Sequence, residues 1–179
     1  MKTQAFSNDL GQVVSVSQAI AAESVAKEVW VMATHIDFGE KFAQAMIKNL
    51  KRGAIYRLLL LGPRVQSQAR YLGKEFGENC SVGAEQASKQ ISVAWSSNLP
   101  TLPCRRLAIF DPNEYFDCLG GTLSFCQESL VLQVKVGLIR PAGVHFIQLW
   151  SQSEVIASGT EVPEFNTNAW ISPVDHDVY

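Results

Sequence analysis

Glu28–Pro63 reads EVWVMATHIDFGEKFAQAMIKNLKRGAIYRLLLLGP. Its first five apolar residues, Val29–Ala33, are rich in β-formers, and a run apolar on both faces suits a strand buried inside a parallel sheet. Phe42, Met46, Ile47 and Leu50 then recur at helical spacing, with Lys41, Lys48 and Arg52 on the opposite side and Gly53 at the C-terminal cap position. Ile55–Leu61 reads as a second strand, closed by Gly62-Pro63. Between strand and helix lie Thr34, His35 and Asp37. Ligands usually bind at the carboxyl ends of strands in open α/β sheets, which makes His35 and Asp37 candidate functional residues.

Downstream, Val65, Ala69, Leu72 and Phe76 mark another helix closed by Gly77. Upstream, Val16, Ile20 and Val25 give helical spacing to Val14–Ala26, with Ser15 and Gln18 placed as a capping box. Strand, helix, strand, helix predicts right-handed crossovers and a parallel or mixed sheet flanked by helices. After Gly77 the pattern shifts to short strands at Ile91–Trp95, Arg106–Phe110, Tyr115–Leu119 and Ser129–Val136, the middle two reading as a hairpin. Pro141–Trp150 is a last short helix, with proline tolerated in its first turn. The domain is therefore expected to span residues 1–150. Residues 151–179 are rich in Ser, Thr, Asn and Pro, and read as a loosely docked or disordered tail or as an edge strand.

A chain of 179 residues with 47% apolar composition suits one domain, large enough to hold a core without disulfides or structural metal. Cys80, Cys104, Cys118 and Cys126 form no C-x-x-C pair and no histidine stands near them in ligand spacing, so neither a metal site nor a cofactor is expected. The longest aliphatic run, Leu58–Leu61, is far below the roughly 20 residues that span a bilayer. The amino terminus lacks a secretory apolar core, so a cytoplasmic protein without a membrane partner is expected.

The net charge of -2 conceals an asymmetry. Lys41, Lys48, Lys51, Arg52, Arg57, Arg64, Arg70 and Lys74 fall in one segment without a single acidic residue. From Leu107 to Tyr179 two basic residues face nine acidic ones. The basic segment is a candidate anion site, or else a surface that pairs with the acidic half.

The Glu28–Pro63 block resembles the opening strand-helix-strand unit of the phospholipase D-like superfamily, whose helix ends in a basic residue plus glycine, as in Lys51-Arg52-Gly53. Cys104-Arg105-Arg106-Leu107-Ala108-Ile109-Phe110-Asp111 falls where that family carries its H-x-K-x4-D signature. Cys104 replaces the histidine, Arg106 replaces the lysine, and only Asp111 keeps its type. Gly120-Gly121-Thr122-Leu123-Ser124 resembles the family's glycine turn with its following hydroxyl, and the last helix, ending in Leu149-Trp150, its C-terminal end. The resemblance covers about Ala26–Trp150 and is to motif-degenerate domains of bacterial regulatory, stress or defence proteins.

What the resemblance implies is an α/β fold: a mixed, largely parallel sheet between helices, joined as a homodimer across the motif face. In the family the motif histidine attacks phosphorus and a second one protonates the leaving group. Cys104 cannot act as that histidine. A pseudoenzyme is expected, binding a phosphate-bearing small molecule or nucleic acid through Arg106, Arg105, Thr122 and Ser124, with help from Lys48 and Arg52. Two alternatives stand beside it. One is a metal-independent phosphodiesterase or nuclease using Cys104 or His35, with Asp111, in a dimeric site; neighbouring arginines would lower a thiol pKa. The other is an interaction protein whose basic and acidic halves pair between subunits.

Overall fold

The computed structural model describes residues 12–35, 39–78, 89–98, 105–112, 122–127, 130–134 and 139–162. The chain runs β1 (Gln12–Val14), α1 (Val16–Glu23), β2 (Glu28–Ala33), α2 (Gly39–Lys51), β3 (Ile55–Leu61), a 3-10 turn (Pro63–Val65) and α3 (Gln66–Glu78). It continues with β4 (Ile91–Ser96), β5 (Arg106–Phe110), β6 (Thr122–Gln127), β7 (Leu130–Val134), α4 (Ile139–Ser151) and β8 (Glu154–Ala157).

The local signals account for the helix ends. Ser15 caps α1: its hydroxyl accepts from the Gln18 amide and the Gln18 side chain accepts from the Ser15 amide, two satisfied donors in one box. At the end of α2 the Ala54 amide donates to Asn49 O and the Gly53 amide to Leu50 O, each at 3.0 Å. Gly53 sits at φ 94°, where a β-carbon is penalised, so glycine here turns the chain into β3.

The strands form one sheet in the order β1-β7-β6-β5-β2-β3-β4-β8. Among the described residues β2, β3 and β4 pair in parallel, and every other pair is antiparallel. This is a mixed α/β sheet with a parallel centre, flanked by helices. Both parallel crossovers move the chain the same way across the sheet, so crossovers of one hand place α2 and α3 on the same face. There Met46, Leu50, Val65 and Ala69 pack on Val29, Val31, Leu58, Leu60, Val93 and Ala108. The other face is covered by α4, whose Phe146 and Ile147 meet Trp30, Met32, Leu59, Leu61 and Ile109. Trp30, Phe146 and Trp150 stack in sequence, with ring centroids 5.1 and 5.6 Å apart. With helices on both sides, all six residues of β2 are buried, as its uninterrupted apolar run requires.

Two sequence expectations change. Residues Gln12–Val14 form a short strand paired with β7 ahead of the first helix, which therefore starts two residues later than the periodicity suggests. The hairpin expected of β5 pairs it with β6: β2 occupies one edge of β5 and β6 the other, while Tyr115–Leu119 lies outside the described residues. Beyond residue 150, Glu154–Ala157 forms an edge strand antiparallel to β4, one of the two forms the sequence left open. Gly159 then donates its amide to Ser92 Oγ at 3.0 Å, and Glu161 donates to Lys89 O at 2.9 Å. Residues 163–179 lie outside the described residues. Among the described residues, no helix is long and apolar enough to cross a membrane.

Candidate functional site

Antiparallel pairing of β5 with β2 sets Arg106 opposite Ala33, at the carboxyl end of β2, and Phe110 opposite Val29 at its start. The motif-like segment is therefore spread along a strand. Its two ends do different things.

At one end Asp111 acts as a clasp. Its Oδ1 accepts from the Lys27 and Glu28 amides at 2.7 and 3.0 Å, while its own amide donates to Glu28 O at 2.8 Å. Its φ of 48° lies in the left-handed region, which aspartate tolerates better than most residues. That carboxylate closes the β2–β5 ladder, at the far end of the strand from Arg106.

At the other end Arg106 points inward, 6% exposed, onto the face that α1 and α2 cover. The guanidinium expected to meet a phosphate meets a carboxylate: Nη2 donates to Glu23 Oε2 at 2.7 Å, and the group lies 4.5 Å from the Phe42 ring centroid. Glu23 ends α1 and is 1% exposed. Its other oxygen accepts from Tyr56 Oη at 3.2 Å, and its main-chain oxygen accepts from Asn49 Nδ2 at 2.6 Å. Asn49 Nδ2 also donates to Tyr56 Oη at 2.8 Å. Burial, with the Glu23 charge adding to it, drives the Tyr56 phenol well above its ordinary value, so it is neutral and donates.

Arg52 extends this cluster. It donates to the carbonyls of Val25 and Ala26 at 3.2 and 2.6 Å, holding the chain where α1 ends. A second buried pair occupies the opposite sheet face: Arg57 Nε stands 3.2 Å from Glu28 Oε1, which also accepts from Trp30 Nε1 at 2.7 Å. Burial lowers the Arg57 pKa, against the Glu28 charge that raises it. Arg57 is thus the one basic residue of the Lys41–Lys74 segment turned inward; the other seven are exposed.

His35 is exposed, its Nδ1 3.1 Å from Thr34 Oγ1. Thr34 donates its amide to Arg105 O at 3.1 Å, which brings the His35 segment beside the residue that follows Cys104. Arg105 is exposed. Thr122 and Ser124 pair opposite Phe110 and Ala108, so register sets Thr122 at the Asp111 end of β5, away from Arg106. Lys48 is exposed on α2. Asp37, Cys104 and Gly120-Gly121 lie outside the described residues.

Sequence reasoning missed Glu23, Asn49 and Tyr56. The available signal was polar residues in phase with apolar ones: Glu23 stands four residues after Ala19, and Asn49 three after Met46.

No protein-family model matches the chain, and no curated protein sequence does. Solved structures do. The archaeal chromatin protein TrmBL2, whose structure shows a novel mode of DNA binding, has a TM-score of 0.52 at 10% identity, over 86% of this chain and 54% of that one. The likeness is one of fold, and the chain spans about half the length of that protein. Nuc from Salmonella typhimurium, a phospholipase D family member, has a TM-score of 0.48 at 15% identity, over 83% of this chain and 98% of that one. Polyphosphate kinase from Porphyromonas gingivalis has a TM-score of 0.47 at 12% identity, over 94% of this chain and 28% of that one.

Proposed function

We propose that the chain is a catalytically degenerate phospholipase D-like domain that binds a phosphate-bearing ligand and serves as a sensing or scaffolding module, working as a homodimer. The observation that carries this reading is the Arg106–Glu23 pair. At the position where the signature has its lysine, a buried guanidinium is neutralised by a carboxylate of the same chain at 2.7 Å. The signature aspartate position is likewise occupied with main-chain amides. Both charges hold the fold together, and position 104 offers no imidazole.

Ligand binding is supported by the seven exposed basic residues between Lys41 and Lys74, a surface that attracts polyanions in a salt-dependent way. The fold it shares with TrmBL2 is compatible with a nucleic-acid ligand.

One geometric feature favours a second reading, a metal-independent phosphodiesterase. The Thr34–Arg105 hydrogen bond brings exposed His35 near the start of the motif segment. Hydrolysis of a generic phosphodiester and of single- and double-stranded DNA in EDTA separates the two. The degenerate domain gives no turnover above buffer. Turnover in the wild type that disappears in Cys104→Ala or His35→Ala establishes the enzyme instead.

A further inference from the structure

Between α1 and α2 runs an open groove of about 360 Å³, within the size range of small-ligand sites. Lys41, Lys48, Ser17 and Ser24 stand on its walls, with Ile20 and Ala45 between them. We infer that this groove is the phosphate-ester site of the domain, taking a nucleotide or the phosphodiester backbone of a single strand. The inference rests on the phosphate-binding reading above and gives it a location away from the motif segment.

The charges fit that chemistry. Among the described residues no acidic side chain lines the groove, both lysines are exposed, and neither is in an ion pair. Lys41 and Lys48 are seven residues apart on one helix, about 10 Å along its axis, so their flexible ends can reach two phosphates or converge on one. Ser17 adds a hydroxyl donor at the edge; Ser24 spends its own on Ala21 O at 2.8 Å. Ile20 and Ala45 offer an apolar strip for the body of the ligand.

The groove is also built on a fixed frame. Each of three lining residues is the chain neighbour of a residue in the buried cluster: Lys41 of Phe42, Lys48 of Asn49, Ser24 of Glu23. The Asn49–Glu23 and Arg52–Ala26 hydrogen bonds, both 2.6 Å, tie α2 to the end of α1. The walls therefore hold their spacing without a ligand, which lowers the ordering cost of binding.

Fluorescence anisotropy of the full chain with a labelled oligothymidylate of about eight nucleotides tests this, with ADP and inorganic phosphate as competitors. Binding is expected to weaken by about tenfold or more in Lys41→Ala/Lys48→Ala, with the salt slope falling by about 0.7 for each phosphate that a lysine no longer neutralises. Lys27→Ala/Arg140→Ala removes equal charge from positions outside both the groove lining and the Lys41–Lys74 segment and is expected to change affinity less than about twofold. Competition by ADP at concentrations far below those of the strand's nucleotides identifies a nucleotide site; competition by neither small molecule identifies a strand site. Equal losses in the two double variants overturn the groove, as does equal binding of a polyglutamate peptide. A wild type that binds none of these probes overturns the phosphate-binding reading itself.

Discussion

Arg106 and Glu23, 83 residues apart in the chain, meet at 2.7 Å with both side chains shut away from solvent. Such a pair is a poor source of net stability, because desolvation offsets most of the attraction, yet each half depends on the other. Arg106→Met should therefore destabilise the domain by about 3–5 kcal/mol, by leaving the Glu23 carboxylate buried without its counter-charge. Combining it with Glu23→Gln should recover at least half of that destabilisation, read as urea midpoints at constant slope. Additive effects in the double variant would mean that the two residues act independently.

Asp111 separates structure from chemistry at the motif. Two main-chain amides converge on its Oδ1, and its own φ is 48°. Asp111→Ala leaves those donors unsatisfied and puts a β-carbon without local hydrogen bonding in the left-handed region, a cost of about 1–3 kcal/mol. Asp111→Asn keeps an acceptor oxygen and should retain most of the stability. A thermal melt of the three proteins checks the order wild type, Asn, Ala.

The order of parts from Val14 to Leu72 is legible in the sequence because each element there carries its own punctuation: a capping box at Ser15, a glycine stop at Gly53, a Gly-Pro break at Gly62-Pro63. The edge strands are not. Gln12–Val14 and Glu154–Ala157 are only three and four residues long, and both become strands through a partner distant in sequence, β7 and β4. The pairing of β5 is hidden for a related reason, since a glycine pair marks a turn without saying which flank continues as strand. At the site, the spacing of the motif locates Arg106, but whether a guanidinium faces ligand or core depends on Glu23, which sits on another element. No local pattern in a single sequence carries that pairing.

Gly159 marks where the last described segment locks onto β4. Its environment has no room for a side chain, because a β-carbon there would collide with the Lys89 carbonyl and with Val162. Gly159→Ala should cost about 1–3 kcal/mol, the range of overpacking in a tight site. Backbone hydrogen exchange should locate the effect: the amides of Gly159 and Glu161, bonded to Ser92 and Lys89, should exchange faster while β2 and β3 stay protected. Uniformly faster exchange across the sheet would show instead that this segment unfolds only with the whole domain.

Tyr56 gives the buried cluster an alkaline limit. Burial comes first among the causes that raise its phenol pKa, and the Glu23 carboxylate second, so the folded chain holds this proton where the unfolded chain has released it. Above about pH 10, the ordinary tyrosine value, the unfolded state binds fewer protons than the native one, and stability must fall as pH rises. The contribution of this single group is fully present below that pH and declines by up to about 1.4 kcal/mol per pH unit above it. Tyr56→Phe removes the titrating proton along with the hydrogen bond to Glu23, so it should be less stable than wild type at neutral pH. Its stability should then fall less steeply above about pH 10, and the two curves should converge. Denaturant unfolding across that range measures the difference directly. Parallel curves would mean that the phenolate is tolerated in the folded state and that water reaches the cluster on the α1–α2 side.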